Sequence, residues 1–106
     1  MTEEKLDCFA GKEKELKVGK DTFVVKELSF GEKNEIRRKT MTYDSMTGKT
    51  DIDIYKMNEL RLLKGIKSAP FEVNEVNIQK LKETIAAKLL LTINELSEVT
   101  GEDEKK

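Results

Sequence analysis

The sequence has no histidine and no tryptophan, one cysteine, one proline and only 6% aromatic residues. Each shortage removes something. Without histidine the chain lacks the commonest general base and imidazole metal ligand. A single thiol, Cys8, rules out an internal disulfide framework and suits a reducing compartment. It has no histidine to activate it as a nucleophile, so it reads as a small apolar filler. With so few aromatics, leucine, isoleucine and valine must supply most of the packing. No apolar run approaches the roughly 18 residues that a membrane-spanning helix needs. The opening residues, MTEEKLDCFAGKEKE, put acids where a secretory signal has a basic start. These features predict a cytoplasmic protein that is not an enzyme, with no metal site, no cofactor and no membrane partner.

An excess of one charge is missing too. Twenty basic residues against twenty-one acidic ones give a net charge of -1. That balance argues against a dedicated nucleic-acid binder, which draws its affinity from a basic face that neutralises phosphates. Charged residues make up 39% and hydrophobic ones 37%, rich in surface and lean in core. A chain of 106 residues is then one domain with a modest core, which a second chain could complete. The organisation expected is a loosely ordered N-terminus over residues 1–12, a single globular domain over 13–100 and a charged tail over 101–106. Within the first segment Leu6, Cys8 and Phe9 are the residues able to dock locally.

The fold expected is α+β and mainly α-helical, an N-terminal β-hairpin packed with three principal helices near 30–41, 53–67 and 83–98. Leu16 and Val18 alternate with charges, Gly19-Lys20-Asp21 supplies a turn, and Thr22 to Val25 is the richest β run. Ser29-Phe30-Gly31-Glu32 is a capping box, and the helix it opens carries Glu32 and Glu35 early and Arg37, Arg38 and Lys39 late. Its apolar positions are Phe30, Ile36 and Met41. Thr42 to Thr50 reads as a polar, mobile loop.

The stretch from Asp51 to Phe71 anchors the chain. Tyr55, Met57, Leu60, Leu63 and Ile66 recur about every three residues, the pattern of a core-facing helix. Leu60, Leu62 and Leu63 cover more than one face, so this helix belongs inside. Asp51 or Asp53 caps its start, and Gly65 with Ser68-Ala69-Pro70 ends it. Phe71 to Val73 reads as extended, and Asn74 or Asn77 caps a short turn through Ile78 and Leu81. The final helix, about 83 to 99 with Gly101 as its stop, sets Ile85, Leu89, Ile93 and Leu96 on one stripe. Leu63 and Leu89 are the expected core residues. Leu89-Leu90-Leu91 occupy about 200° of the circumference, at ~100° per residue. One packing neighbour needs about half that width. Leu90 and Leu91 are thus the predicted partner-binding residues, with filling of an intramolecular core as the alternative.

Three motifs invite chemistry and fail. Gly48-Lys49-Thr50 imitates the end of a phosphate-binding loop, but Tyr43 stands where its first glycine should be. Asp44, Asp51 and Asp53 lack the spacing of a calcium loop, and read as a turn starter and helix caps. Arg37-Arg38-Lys39 could meet phosphate, although a solvated helix end accounts for it.

Taken in order, VVKELSFGEKNEIRRK, YDSMTGKTDID and ELRLLKGIKSAPF resemble the small tail assembly chaperones of long-tailed bacteriophages and prophages. The resemblance runs from about Val24 to Leu96 and is carried by the order and spacing of several segments. The chain departs from the pattern at Leu81-Lys82, where family members often break with Leu-Pro. The resemblance implies a non-enzymatic factor, absent from the finished particle, that coats the tape-measure protein and helps recruit tail-tube subunits. Self-association would fit the broad apolar surface. The competing classes are a small structural virion protein, for tail or head completion, and a small DNA-binding regulator.

Overall fold

The computed structural model describes residues 8–97. The expected charged tail, the stop at Gly101 and Leu6 lie outside the described residues, as does most of the N-terminal segment. Cys8 and Phe9 are exposed, so neither docks, and the thiol is not an apolar filler.

The hairpin forms as the alternation predicts, from β1 (Glu13–Val18) and β2 (Asp21–Lys26). Val18 faces Asp21 across a two-residue turn, and Gly19 at its first position takes φ +61. A left-handed first residue is what glycine supplies in the hairpin turns that match strand twist. Leu16 pairs with Phe23, and both point inward with Val25. A third strand, β5 (Ile66–Ser68), was not expected: it pairs antiparallel with β2, giving the sheet order β1-β2-β5.

Helix α1 (Phe30–Thr40) begins with the full capping box. The Ser29 hydroxyl accepts from the Glu32 amide at 3.1 Å and the Glu32 carboxylate accepts from the Ser29 amide at 3.0 Å. Ile36 and Thr40 are buried, whereas Phe30, expected as an anchor, is 81% exposed on the first turn. Met41 is extended and begins the next strand.

The expected mobile loop is instead a second hairpin, of β3 (Met41–Asp44) and β4 (Lys49–Ile52). Its turn is locally built. Asp44 accepts from the Met46 amide through its side chain and from the Gly48 amide through its carbonyl, and Gly48 takes φ +71. At the base the Asp53 amide donates to the Thr40 carbonyl at 2.8 Å. Every residue from Thr42 to Lys56 is exposed, so this hairpin is an arm.

Helix α2 (Ile54–Gly65) is capped by Asp53, while Asp51 lies in β4. From Met57 to Ile66 every residue is buried or half-buried, and the helix packs against α1, α4, β5 and the short α3 (Glu75–Gln79). The central position holds, but its details differ. Tyr55 is 89% exposed, Leu62 is buried where Leu63 is only half-buried, and Ile66 has left the helix for β5. A strict three-residue spacing drifts by about 60° per step around a helix, so it does not mark one face.

Residues 71–73 are irregular, with Phe71 set edge-on to Phe23 at 5.8 Å. Asn74, not Asn77, caps α3. Helix α4 (Glu83–Leu96) crosses β1 and β2 and leans on α2, with Leu89 and Ile93 wholly buried. Among the described residues four helices, with 47% of residues helical and 26% in strands, make the fold α+β, and a mainly helical description overstates it. No helix among the described residues is long and apolar enough to cross a membrane.

Candidate partner-binding surfaces

The two leucines singled out on α4 part company. Leu90 is half-buried and packs at the edge of the core, whereas Leu91, one step around the helix, is 60% exposed. Leu90 shares its helical stripe with Asn94 and Ser97, four and seven residues on. That stripe ends at a feature the sequence did not reveal.

A cleft of about 500 Å³ opens between α1, α2, the end of α4 and the base of the arm. Its apolar lining comes from Leu28, Ile36, Met41, Ile52 and Met57. Met41 and Ile52 are a cross-strand pair, and alternation carries the same face of the arm outward to Tyr43 and Thr50. Apolar surface thus continues from the cleft along one side of the arm, where Tyr43 is 69% exposed. The tip residue Met46 and, past the arm, Ile54 and Tyr55 are exposed as well.

The polar lining is one-sided in charge. Lys33, Arg37 and Arg61 border the cleft, with Asn94 and Ser97, and among the described residues no carboxylate does. Ser97 is occupied, accepting from the Leu28 amide at 3.3 Å and donating to the Ile93 carbonyl at 3.0 Å. Among the described residues Arg37 reaches only the Asn34 side-chain oxygen, at 3.0 Å.

Elsewhere on the same helices two of the cations are neutralised. Lys64 and Lys39 meet Glu35 at 2.8 and 3.2 Å, and hydrogen bonds from Lys64 and then Lys39 hold the Glu35 carboxyl below its ordinary value. Burial pushes the Glu32 carboxyl up. The hydrogen bond from Lys26 at 2.8 Å, joined by the Ser29 amide, outweighs this, and the net shift is downward. The Arg37-Arg38-Lys39 run is therefore divided by helical geometry: Lys39 pairs with Glu35, and Arg37 joins Lys33, four residues earlier, at the cleft.

The chain matches no protein-family model, no curated protein and no solved structure. Among the described residues no group of three or more His, Cys, Asp or Glu side chains gathers as a metal site would require. Asp44 serves the arm's turn and Asp53 the cap of α2, while Gly48 and Lys49 close the turn and open β4. What the surface offers is shape, apolar area and positive charge.

Proposed function

We propose that this protein is a small, non-enzymatic assembly chaperone for a long bacteriophage tail. In this reading it works in the host cytoplasm, binds the extended tape-measure protein, and helps recruit tail-tube subunits around it. It needs no cofactor. The resemblance over residues 24–96 suggests the role, and one observation carries it on the structural side: apolar surface left uncovered by the domain itself. That surface runs from the cleft along the arm through Ile52 and Tyr43, with Met46 exposed at the tip. Connected apolar area of this kind on a small domain is a mark of partner binding. Leu91 on α4 adds a separate contact, and Leu90 supports it from the edge of the core. Contacts spread over an arm and a helix suit an extended partner or a second copy better than a compact ligand.

The test is co-purification of the protein with a tape-measure fragment, together with light scattering for self-association. Leu91→Glu is the informative variant, because an exposed site accepts a charge without loss of the fold, whereas Leu90→Glu would disturb packing. The variant is expected to melt like the parent and to bind the fragment more weakly. A parent protein that engages neither tape-measure nor tail-tube partner would overturn the reading. Recovery of the protein from purified virions by mass spectrometry would replace it with the structural-component alternative.

A further inference from the structure

The cations gathered at the cleft carry an inference of their own. Four other lysines, Lys26, Lys39, Lys64 and Lys67, each meet a carboxylate within 3.2 Å. Lys33, Arg37 and Arg61 converge on one opening with no carboxylate among the described residues of its lining. Like charges gathered around a low-dielectric wall repel one another and raise the local positive potential. An anion relieves that cost, and arginine in particular takes carboxylates in paired hydrogen bonds.

The floor decides which anion. A nucleic-acid backbone would use the cations and leave Ile36, Met41, Ile52 and Met57 without a partner. A protein segment that sets carboxylates beside apolar side chains satisfies both halves of the site. The cleft volume lies within the range of sites that take such anchors, and two methionines in the floor let it adapt to their shape.

We propose that the cleft receives an acidic, apolar-bearing segment of a partner protein, with its apolar side chains on the Ile36–Met41–Ile52–Met57 floor and its carboxylates on Lys33, Arg37 and Arg61. The inference concerns the chemistry of the occupant and does not depend on the partner belonging to a phage tail.

The probe is a fluorescein-labelled peptide of leucines and glutamates at helical spacing, titrated with the full-length protein and followed by anisotropy. Companion peptides replace every glutamate with glutamine or with lysine. The acidic peptide is expected to bind, to weaken as salt rises, and to outbind the glutamine peptide by about tenfold, a difference of ~1.4 kcal/mol. The lysine peptide is expected not to bind. Arg37→Glu/Arg61→Glu should lower affinity by at least about tenfold. Lys17→Glu/Lys20→Glu, an equal charge change on the exposed N-terminal hairpin, should leave it unchanged. Should the arginine variant melt early, Lys33→Gln/Arg37→Gln on α1 alone gives the same comparison with a smaller loss, and Ile52→Ser tests the floor. Equal loss in the hairpin variant would reduce the interaction to general electrostatics and overturn the proposal. So would indifference to the arginine change, tighter binding of a DNA oligonucleotide than of the peptide, or a parent dimer that the arginine change dissociates.

Discussion

Gly65 is the last residue of α2, and a methyl group placed on it would enter the side chain of Ile93 in α4. The added carbon would stand 2.5 Å from Cδ1, 2.9 Å from Cγ1 and 3.1 Å from Cγ2. Ile93 is wholly buried, and because a β-branched side chain in a helix has essentially one χ1 rotamer, Cγ1 and Cγ2 have no low-cost way to turn aside even where Cδ1 swings about χ2. Alanine for glycine gains at most ~1 kcal/mol of helix propensity, and less at a helix end. Overpacking of a filled core costs ~1–3 kcal/mol. The clash should win, and Gly65→Ala is expected to destabilise the protein by about 1–2 kcal/mol. Without tryptophan, the suitable assay is equilibrium urea unfolding followed by far-ultraviolet circular dichroism. Ile93→Val removes Cδ1 and should cost about 0.5–1.5 kcal/mol alone. In that background Gly65→Ala should be milder by at least ~0.5 kcal/mol, since the two residues share one contact. A Gly65→Ala variant as stable as the parent, or strict additivity of the pair, would refute this account of the α2–α4 crossing.

Leu89→Ala should cost about 2–5 kcal/mol in the same urea assay, and Leu91→Ala no more than ~0.5 kcal/mol, because the first side chain is fully enclosed and the second is not. Ser29→Ala should cost about 0.5–2 kcal/mol by removing the side-chain half of the capping box. The Glu32 carboxyl is held below its ordinary value of 4.5, so its contribution is present above that pH and is lost as pH falls through the folded pKa. Glu32→Gln should accordingly flatten the fall in urea midpoint between about pH 6 and about pH 3, and an unchanged slope would show that the Lys26 and Ser29 bonds are not formed in solution.

Local chemistry was legible in the sequence and long-range convergence was not. The capping box at Ser29, the first hairpin and the start of the α2 helix follow from neighbouring residues, and they appear where the pattern puts them, while that helix ends at Gly65, short of the expected 67. The stripe of α4 was legible too, because Leu89 and Ile93 keep the four-residue step of a buried face. The arm was not. From Thr42 onward its strands are exposed on both faces, and although Met41-Thr42-Tyr43-Asp44 alternates, Lys49-Thr50-Asp51-Ile52 has one apolar residue, so the pair lacks the pattern that marks a half-buried hairpin. Nor was β5, because Ile66-Lys67-Ser68 becomes a strand only through pairing with β2. Of the candidate site, the sequence pointed to Leu90 and Leu91 alike, of which Leu91 is exposed and Leu90 half-buried, and the helix expected near 30–41 holds both Lys33 and Arg37. The cleft joins Leu28, Ile52, Arg61 and Ser97, residues with no local relation to one another, and spacing along the chain carries no sign of it.

The hydrogen bond from the Asp53 amide to the Thr40 carbonyl has a consequence for how this protein can change. It joins the two feet of the arm, so the chain leaves the domain and re-enters it at one point. Topologically the arm is an insertion between two helices that could be joined by a short turn. Lengthening such a segment costs little closure entropy, about 0.6 kcal/mol for each doubling. Residues on the arm can therefore be exchanged, added or removed with small effect on the core beneath, where Gly65 and Ile93 tolerate almost nothing. The chain holds its evolvable part and its constrained part in separate stretches of sequence, and a library built between Thr42 and Asp51 would sample new contacts while leaving the fold in place.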